Sequence, residues 1–384
     1  MIKTKVLILH TSVGNGIKVT AENIFEKLNN SDDYEVRIED IEKVQSGWLI
    51  TISEIVYSIM LECISGLWGF LYNSKIILFL LRPLRKPVAS FNYKRTLAIL
   101  REFQPAVVIS TEAAPSAVIA YLKSKGLYQG KLVINFSDYH LHSFWLYKEA
   151  DLYLCSITDQ AEKLKKLGVP QEKIAVTGMM IAEKFFKEVK KEEALRKFNL
   201  LTSMPVVLLT SGGKARMACR KIFLQLLRSH KSFQVVVVVG NNKKLKSELE
   251  KISAPGPHPI KILGYINDLD VLMSAADVMV GKTGGPTMAE AVIKKLPMVI
   301  TDVRPGHELA NLEYLLKNQI VDYGRIPREV SFLVDEILDQ KLKKHWDRSF
   351  SKIIHPPQGK SLIEALNAIL PESNGLKVKN YQET

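Results

Sequence analysis

The chain reads as an α/β protein with two doubly wound parallel sheets, and three observations carry that reading. Short, nearly uninterrupted apolar runs recur along the chain, helix-compatible stretches separate most of them, and a polar segment divides them into two sets. Strands without polar alternation are strands buried on both faces, the condition of a parallel sheet covered by helices. Right-handed crossovers then build Rossmann-like lobes. At 384 residues the chain exceeds one ordinary core, so two lobes are expected.

In the first set the runs are KVLIL (5–9), AVVIS (106–110), KLVINF (131–136), LYLCS (152–156) and IAVTG (174–178), with helices expected over 18–29 and 115–125. The second set is PVVLLT (205–210), FQVVVVVG (233–240), IKILGY (260–265), DVMVG (277–281) and PMVITD (297–302). Between them AEKFFKEVKKEEALRKFN (182–199) is polar and helix-prone. These boundaries give a first domain over 1–181, a linker over 182–204 and a second domain over 205–350. A C-terminal helix that returns to the first domain is expected over 351–370, followed by a frayed tail over 371–384 that is poor in apolar residues.

A hydrophobic content of 47% excludes a disordered chain. Cys63, Cys155 and Cys219 are far apart and form no CxxC pair, which argues against a disulfide framework or a structural zinc site. The first residues show no secretory signal. A formal charge of +13 suits a polyanionic partner, and no basic-aromatic module of a nucleic-acid binder is present.

Residues 48–95 interrupt the βα alternation. They are richly apolar, but Glu54, Glu62 and Lys75 break the run well short of the ~20 residues of a spanning helix. Lys75, Arg82, Arg85, Lys86, Lys94 and Arg95 follow without an acidic residue among them, and Trp48, Trp68, Phe70, Tyr72 and Phe79 supply interfacial aromatics. Apolar helices beside an unbalanced basic cluster describe a segment lying on an anionic bilayer. A pair of core helices with a solvated basic loop is the alternative.

Three turns carry candidate chemistry. In VMVGKTGGPTMAEAVIKKLPMVI (278–300) a strand meets a glycine turn and a helix opening near Pro286. The first amides of that helix are donors with positive partial charge, suited to a diphosphate. Gly284 and Gly285 permit close approach, Thr283 and Thr287 add hydroxyls, and Glu290 stands one turn in, placed to accept from a ribose diol. Ser211, Gly212 and Gly213 form a second glycine turn after the first strand of the same half. His307, Glu308 and Asn311 in DVRPGHELANLEYL (302–315) make a polar cluster suited to sugar hydroxyls, or an ordinary helix start. In the first half, INFSDYHLHSFWLY (134–147) sets Asp138, His140, His142 and Trp145 after a buried strand, where a histidine serves as base and a carboxylate orients it. No clear third metal ligand accompanies them, so no metal is assigned there.

Seven segments in order, HTSVGNG, LWGFLYN, SDYHLHSFWLY, KLGVPQEKIAVTGMMI, KILGYINDLDVLMSAADV, KTGGPTMAEA and RPGHELANLEYL, resemble glycosyltransferase family 28, in its monogalactosyldiacylglycerol synthase and processive diacylglycerol glucosyltransferase branch. The resemblance covers roughly residues 3–370. It implies a GT-B fold, a UDP-sugar donor in the C-terminal half, a glycerolipid acceptor at the N-terminal half and inversion without a bound metal or other cofactor. It also implies peripheral attachment at the cytoplasmic face of the cell membrane. By that analogy uracil lies near Gly264 and Tyr265, ribose at Glu290 and diphosphate at Ser211, Gly212, Thr283, Gly284 and Gly285, while Glu308 and Asn311 touch the sugar. The acceptor-side turn Gly14, Asn15, Gly16 keeps the family's shape. Ile17, however, stands where the family's proposed base histidine is found, so Asp138, His140 or His142 is expected to take its role. The same substitution admits a second reading, a catalytically silent or slow relative that senses UDP-sugar. A UDP-sugar epimerase is a third, and it leaves the apolar segment unexplained. The sugar, the lipid and the oligomeric state are not legible in the sequence.

Overall fold

The computed structural model describes residues 3–11, 15–41, 93–142, 145–211, 218–252, 258–304, 306–339, 350 and 358–370. The strands are β1 (Thr4–His10), β2 (Tyr34–Asp40), β3 (Val107–Ser110), β4 (Lys131–Asn135), β5 (Leu152–Cys155), β6 (Ile174–Val176), β7 (Val206–Thr210), β8 (Gln234–Val238), β9 (Ile260–Leu263), β10 (Val278–Gly281), β11 (Met298–Ile300) and β12 (Asp322–Tyr323). The helices used below are α1 (Asn15–Asn29), α2 (Tyr93–Phe103), α3 (Lys191–Lys197), α4 (Gly285–Ile293), α5 (His307–Lys317) and α6 (Gln358–Asn367).

Two parallel six-stranded sheets result, ordered β2-β1-β3-β4-β5-β6 and β12-β11-β10-β7-β8-β9. In each, the chain order reverses once: between β1 and β3 in the first sheet, and between β7 and β10 in the second. At such a reversal the two flanking connections leave in opposite directions and open a crevice at the carboxyl ends of the strands.

Sheet faces alternate as the strand period requires. Leu7, Leu9, Val108, Leu132 and Ile134 enter one core of the first lobe. Val6, Ile8, Val107, Ile109, Val133, Leu152 and Leu154 enter the opposite one, where Ala21, Ile24 and Leu28 of α1 cover them. Leu362 and Leu366 of α6 lie in that same core, and Tyr34 Oη donates to Asn367 Oδ1 at 2.8 Å. The C-terminal helix thus packs on the first lobe.

Two strands were not among the ten apolar runs, β2 and β12, and both are edge strands. The segment expected as a linker also differs. Phe185, Ala194 and Leu195 are buried in the core of the second lobe, and Lys191 Nζ on α3 pairs with Asp277, whose other oxygen accepts from Val206 N at 2.9 Å. Residues 48–92 of the apolar segment lie outside the described residues, and only its end, the start of α2, is described. Among the described residues no helix is long and apolar enough to cross a membrane.

Candidate nucleotide-sugar site

The turn after β10 ends in α4, whose N-cap is Gly284 and whose first turn contains Pro286. Met288 N closes on Gly284 O at 3.0 Å. The amides of Gly285 and Thr287 precede the first residue with an intrahelical partner, and Pro286 has none to offer. This leaves a cluster of main-chain donors at the positive end of the helix, on the crevice between β7 and β10. Ser211 lies across that crevice, buried at the end of β7, with its amide on Val238 O at 3.0 Å. Gly212 and Gly213 lie outside the described residues. Lys282 Nζ stands 3.2 Å from Asp302 Oδ2 beside the same turn, and Asp302 takes a left-handed backbone (φ 52°).

Glu290 lies on the buried side of α4, and burial raises its carboxyl to about 7, with Lys184 opposing and Asp270 assisting. No hydrogen bond to its carboxylate is found among the described residues. A buried acid without a donor is costly, and a diol is one group that would supply donors. Gly264 follows β9 closely enough to Gly240 that a Cβ there would lie 3.6 Å from the Gly240 carbonyl oxygen, and Tyr265 beside it is 70% exposed.

Several side chains expected to touch the donor are engaged inside the protein. Thr283 is fully buried, and its hydroxyl donates to Glu308 O at 2.9 Å. Glu308 Oε2 accepts from Arg304 N at 2.9 Å, which fixes the loop before α5. Asn311, expected at the sugar, is fully buried and instead joins the lobes. Its Oδ1 accepts from Tyr139 N at 2.9 Å, and its Nδ2 donates to Asp138 Oδ1 at 2.8 Å and to Thr283 O at 3.2 Å. A carboxamide holding three protein partners has little hydrogen-bonding capacity left over.

Around that bridge the lobes meet closely. Tyr139, from the first lobe, is buried in the core of the second and stacks on Tyr314 of α5 at 5.2 Å. A Cβ on Gly285 would fall 2.1 Å from Ser137 O, so only glycine fits there. One on Gly16 would lie 3.4 Å from Pro286 Cδ, which sets the start of α1 against the start of α4. The aromatic between Asp138 and His140 was the signal for this interface, and the sequence reading passed over it.

The three residues considered as bases have different surroundings. Asp138 is tied to Asn311. His140 and His142 lie with ring centroids 6.1 Å apart, and burial, with His142 and Lys163 adding and Asp138 opposing, pushes His140 down to about 4. That ring stays neutral at physiological pH and is a weak proton acceptor. His142 is buried. His307, exposed at the start of α5, lies near enough to His140 to depress it further. Asn15 begins α1 and Gly14 lies outside the described residues. Thr287 is half-buried in the first turn of α4. Cys155 and Cys219 are buried thiols pushed up to about 12, unsuited to nucleophilic work.

Residues 10–181 match the family described as monogalactosyldiacylglycerol synthase, and residues 146–344 match the one described as UDP-N-acetylglucosamine 2-epimerase. Monogalactosyldiacylglycerol synthase 3 of Arabidopsis thaliana is 28% identical over 87% of this chain and 74% of its own length. A processive diacylglycerol beta-glucosyltransferase of Bacillus cereus is 26% identical over 97% of this chain and 95% of its own. Among solved structures, S. aureus MnaA with UDP superposes with a TM-score of 0.61 at 12% identity, covering 97% of this chain and 100% of that one. MurG of Acinetobacter baumannii gives 0.60 at 11% identity, covering 95% and 99%. The two-lobed architecture is the GT-B fold. The chain carries a monogalactosyldiacylglycerol synthase family domain over residues 10–181 and is similar over most of its length to the monogalactosyldiacylglycerol synthases and processive diacylglycerol glucosyltransferases of glycosyltransferase family 28, and through residues 146–344 it belongs to the family described as UDP-N-acetylglucosamine 2-epimerase.

Proposed function

We propose that this protein is a membrane-surface glycosyltransferase that moves a hexose from a UDP-sugar to diacylglycerol or a related glycerolipid, inverting the anomeric carbon. The observation that carries the reading is the cluster of amides at the start of α4, held against the first lobe at Gly285 and Ser137. The diphosphate is the leaving group, and fixed amides with the helix dipole stabilise the charge it develops as the glycosidic bond breaks. Glu290 receives the ribose hydroxyls, and Tyr265 with Gly264 borders the base. Thr283 and Glu308 shape the turn through their mutual bond, leaving main-chain amides for the phosphates.

Support for the lipid acceptor comes from the relatives, two of whose names specify diacylglycerol, once within the product and once as the acceptor. The basic, aromatic-rich segment over 48–95 would hold the enzyme on an anionic cytoplasmic leaflet. Two other readings have their own observations. Ile17 favours a slow or silent UDP-sugar sensor, and the match of residues 146–344 favours epimerisation.

One experiment separates the three. Purified protein is mixed with radiolabelled UDP-glucose, UDP-galactose or UDP-N-acetylglucosamine and with phosphatidylglycerol vesicles containing diacylglycerol. Label extracted into the lipid phase is expected. Tight nucleotide binding without transfer would favour the sensor, and an epimerised nucleotide-sugar in the aqueous phase would favour the epimerase.

A further inference from the structure

His10 ends β1, at the crevice where the order of the first sheet reverses, and immediately before the turn into α1. Register places it in a row. His10 pairs with Asp40 on β2, Leu9 pairs with Ser110 on β3, and Ser110 pairs with Ile134 on β4. One residue further on, the cross-strand neighbours are therefore Asp40, His10, Thr111 and Asn135. By alternation all four continue the face that carries Ile8, Ile109 and Val133, the face covered by α1.

The preceding strand residues on that face, Val6, Ile8, Val107, Ile109 and Val133, are apolar core, so the row marks a change from apolar to polar at the carboxyl ends of the strands. Asn135 is fully buried, and neither its Oδ1 nor its Nδ2 has a hydrogen-bond partner. Thr20, on the inward side of α1 one turn before Ile24, is fully buried with its hydroxyl unpartnered. Thr11, the residue after His10, also has a buried hydroxyl with no partner among the described residues. Buried polar groups left in this condition mark places where a water or a ligand hydroxyl belongs.

His10 itself is held in one tautomer. Its Nδ1 lies 3.0 Å from Thr11 O, and a carbonyl only accepts, so Nδ1 carries a proton and in the neutral ring Nε2 is the nitrogen left with the lone pair. Nε2 has no partner among the described residues. The start of α1, just beyond, abuts Pro286 in the first turn of the helix proposed to hold the donor diphosphate.

We propose that His10 is the general base that compensates for Ile17: its Nε2 removes the proton of the acceptor hydroxyl, with Asn135 and Thr20 offering the hydrogen bonds that seat that hydroxyl or its accompanying water. This rests on the transferase reading above. As the acceptor oxygen bonds to the anomeric carbon, its proton passes to Nε2, and the bond from that carbon to the diphosphate oxygen breaks with its electron pair leaving on UDP. The imidazolium then returns the proton to solvent. Asp40 is the charged group beside His10 in the sheet.

The test compares wild type with His10→Asn and His10→Ala on diacylglycerol in phosphatidylglycerol vesicles with UDP-glucose and UDP-galactose. Asn retains a donor for Thr11 O and guards against a folding defect, which circular dichroism and UDP calorimetry check in parallel. Both variants are expected to lose ~10²–10⁴-fold in kcat while UDP still binds as in wild type. Added imidazole is expected to restore part of the rate of His10→Ala, which a merely structural histidine would not show. A His10→Asn protein within about threefold of wild type would overturn the inference and leave the transferase reading standing. Wild type that transfers no sugar to lipid would sink the transferase reading, and the base with it.

Discussion

The carboxyl edge of the second sheet presents main-chain amides and glycine, whereas that of the first presents buried side chains, Asp40, His10, Thr111 and Asn135. Both edges lie at a reversal of strand order, so topology alone treats them alike. The difference follows from what each must do in the proposed reaction. A diphosphate needs several donors at fixed positions and no titration, and a helix start supplies them. Removing a proton from a hydroxyl needs one group that changes charge, which backbone cannot provide.

The sharpest way to break this comparison is to separate the two edges. A Cβ on Gly285 would meet the Ser137 carbonyl oxygen at 2.1 Å, and a main-chain carbonyl has no rotamer by which to yield. Gly285→Ala should therefore force the lobes apart by an ångström or so. Misplacement on that scale costs about 10²-fold in rate, while the amides proposed to grip phosphate remain. The expected result is a kcat lower by roughly that factor with UDP affinity changed little, by transfer assay and calorimetry. Undiminished transfer would mean that the lobe contact seen here is not the one in which reaction occurs.

A smaller effect is expected from the bridge. Asn311→Leu keeps approximate volume and deletes bonds to Tyr139 N, Asp138 Oδ1 and Thr283 O, leaving buried groups unpaired. A loss of about 2 kcal/mol in urea unfolding is expected, together with a larger radius of gyration by small-angle scattering. Stability and scattering both unchanged would remove Asn311 from its role as a joint.

These residues also show where sequence reading stops. The interior strands were legible because burial on both faces leaves an apolar run, as in VVLLT of β7. The edge strand β2, YEVRIED, alternates with charge, and β12 is only two residues long, so neither gave that signal. The glycine turn and α4 were legible from composition. Asn311 was read as a sugar contact because a polar residue near a helix start looks the same whether it faces ligand or protein. Only the packing of Tyr139 into the second lobe distinguishes the two. His10 was invisible for a related reason: its partners are 30, 101 and 125 positions away in Asp40, Thr111 and Asn135, and only strand register assembles them. A polar residue ending an otherwise apolar strand beside a glycine turn was the available clue.

The smallest predicted effect tests Glu290, a buried titratable member of the second edge. Burial raises Glu290 to about 7, so in the free protein its carboxyl is substantially protonated at neutral pH. Because the folded value lies above the unfolded one, the unfolded state binds fewer protons in this window. The folded protein is accordingly penalised progressively as pH rises from about 4.5 to about 7, and not below it. In the proposed complex ribose hydroxyls donate to the ionised carboxylate, so UDP binding is expected to draw the group back towards its ordinary range and release a proton. Affinity for UDP should then weaken by about tenfold between pH 8 and pH 6, equivalent to ~1.4 kcal/mol. Glu290→Gln, which does not titrate, should bind more weakly at pH 8 and lose most of that slope. Calorimetry in buffers of different ionisation enthalpy reads the released proton directly. A flat pH dependence in wild type, with no proton released, would move the ribose away from Glu290 and leave the amides of α4 to hold the phosphates without it.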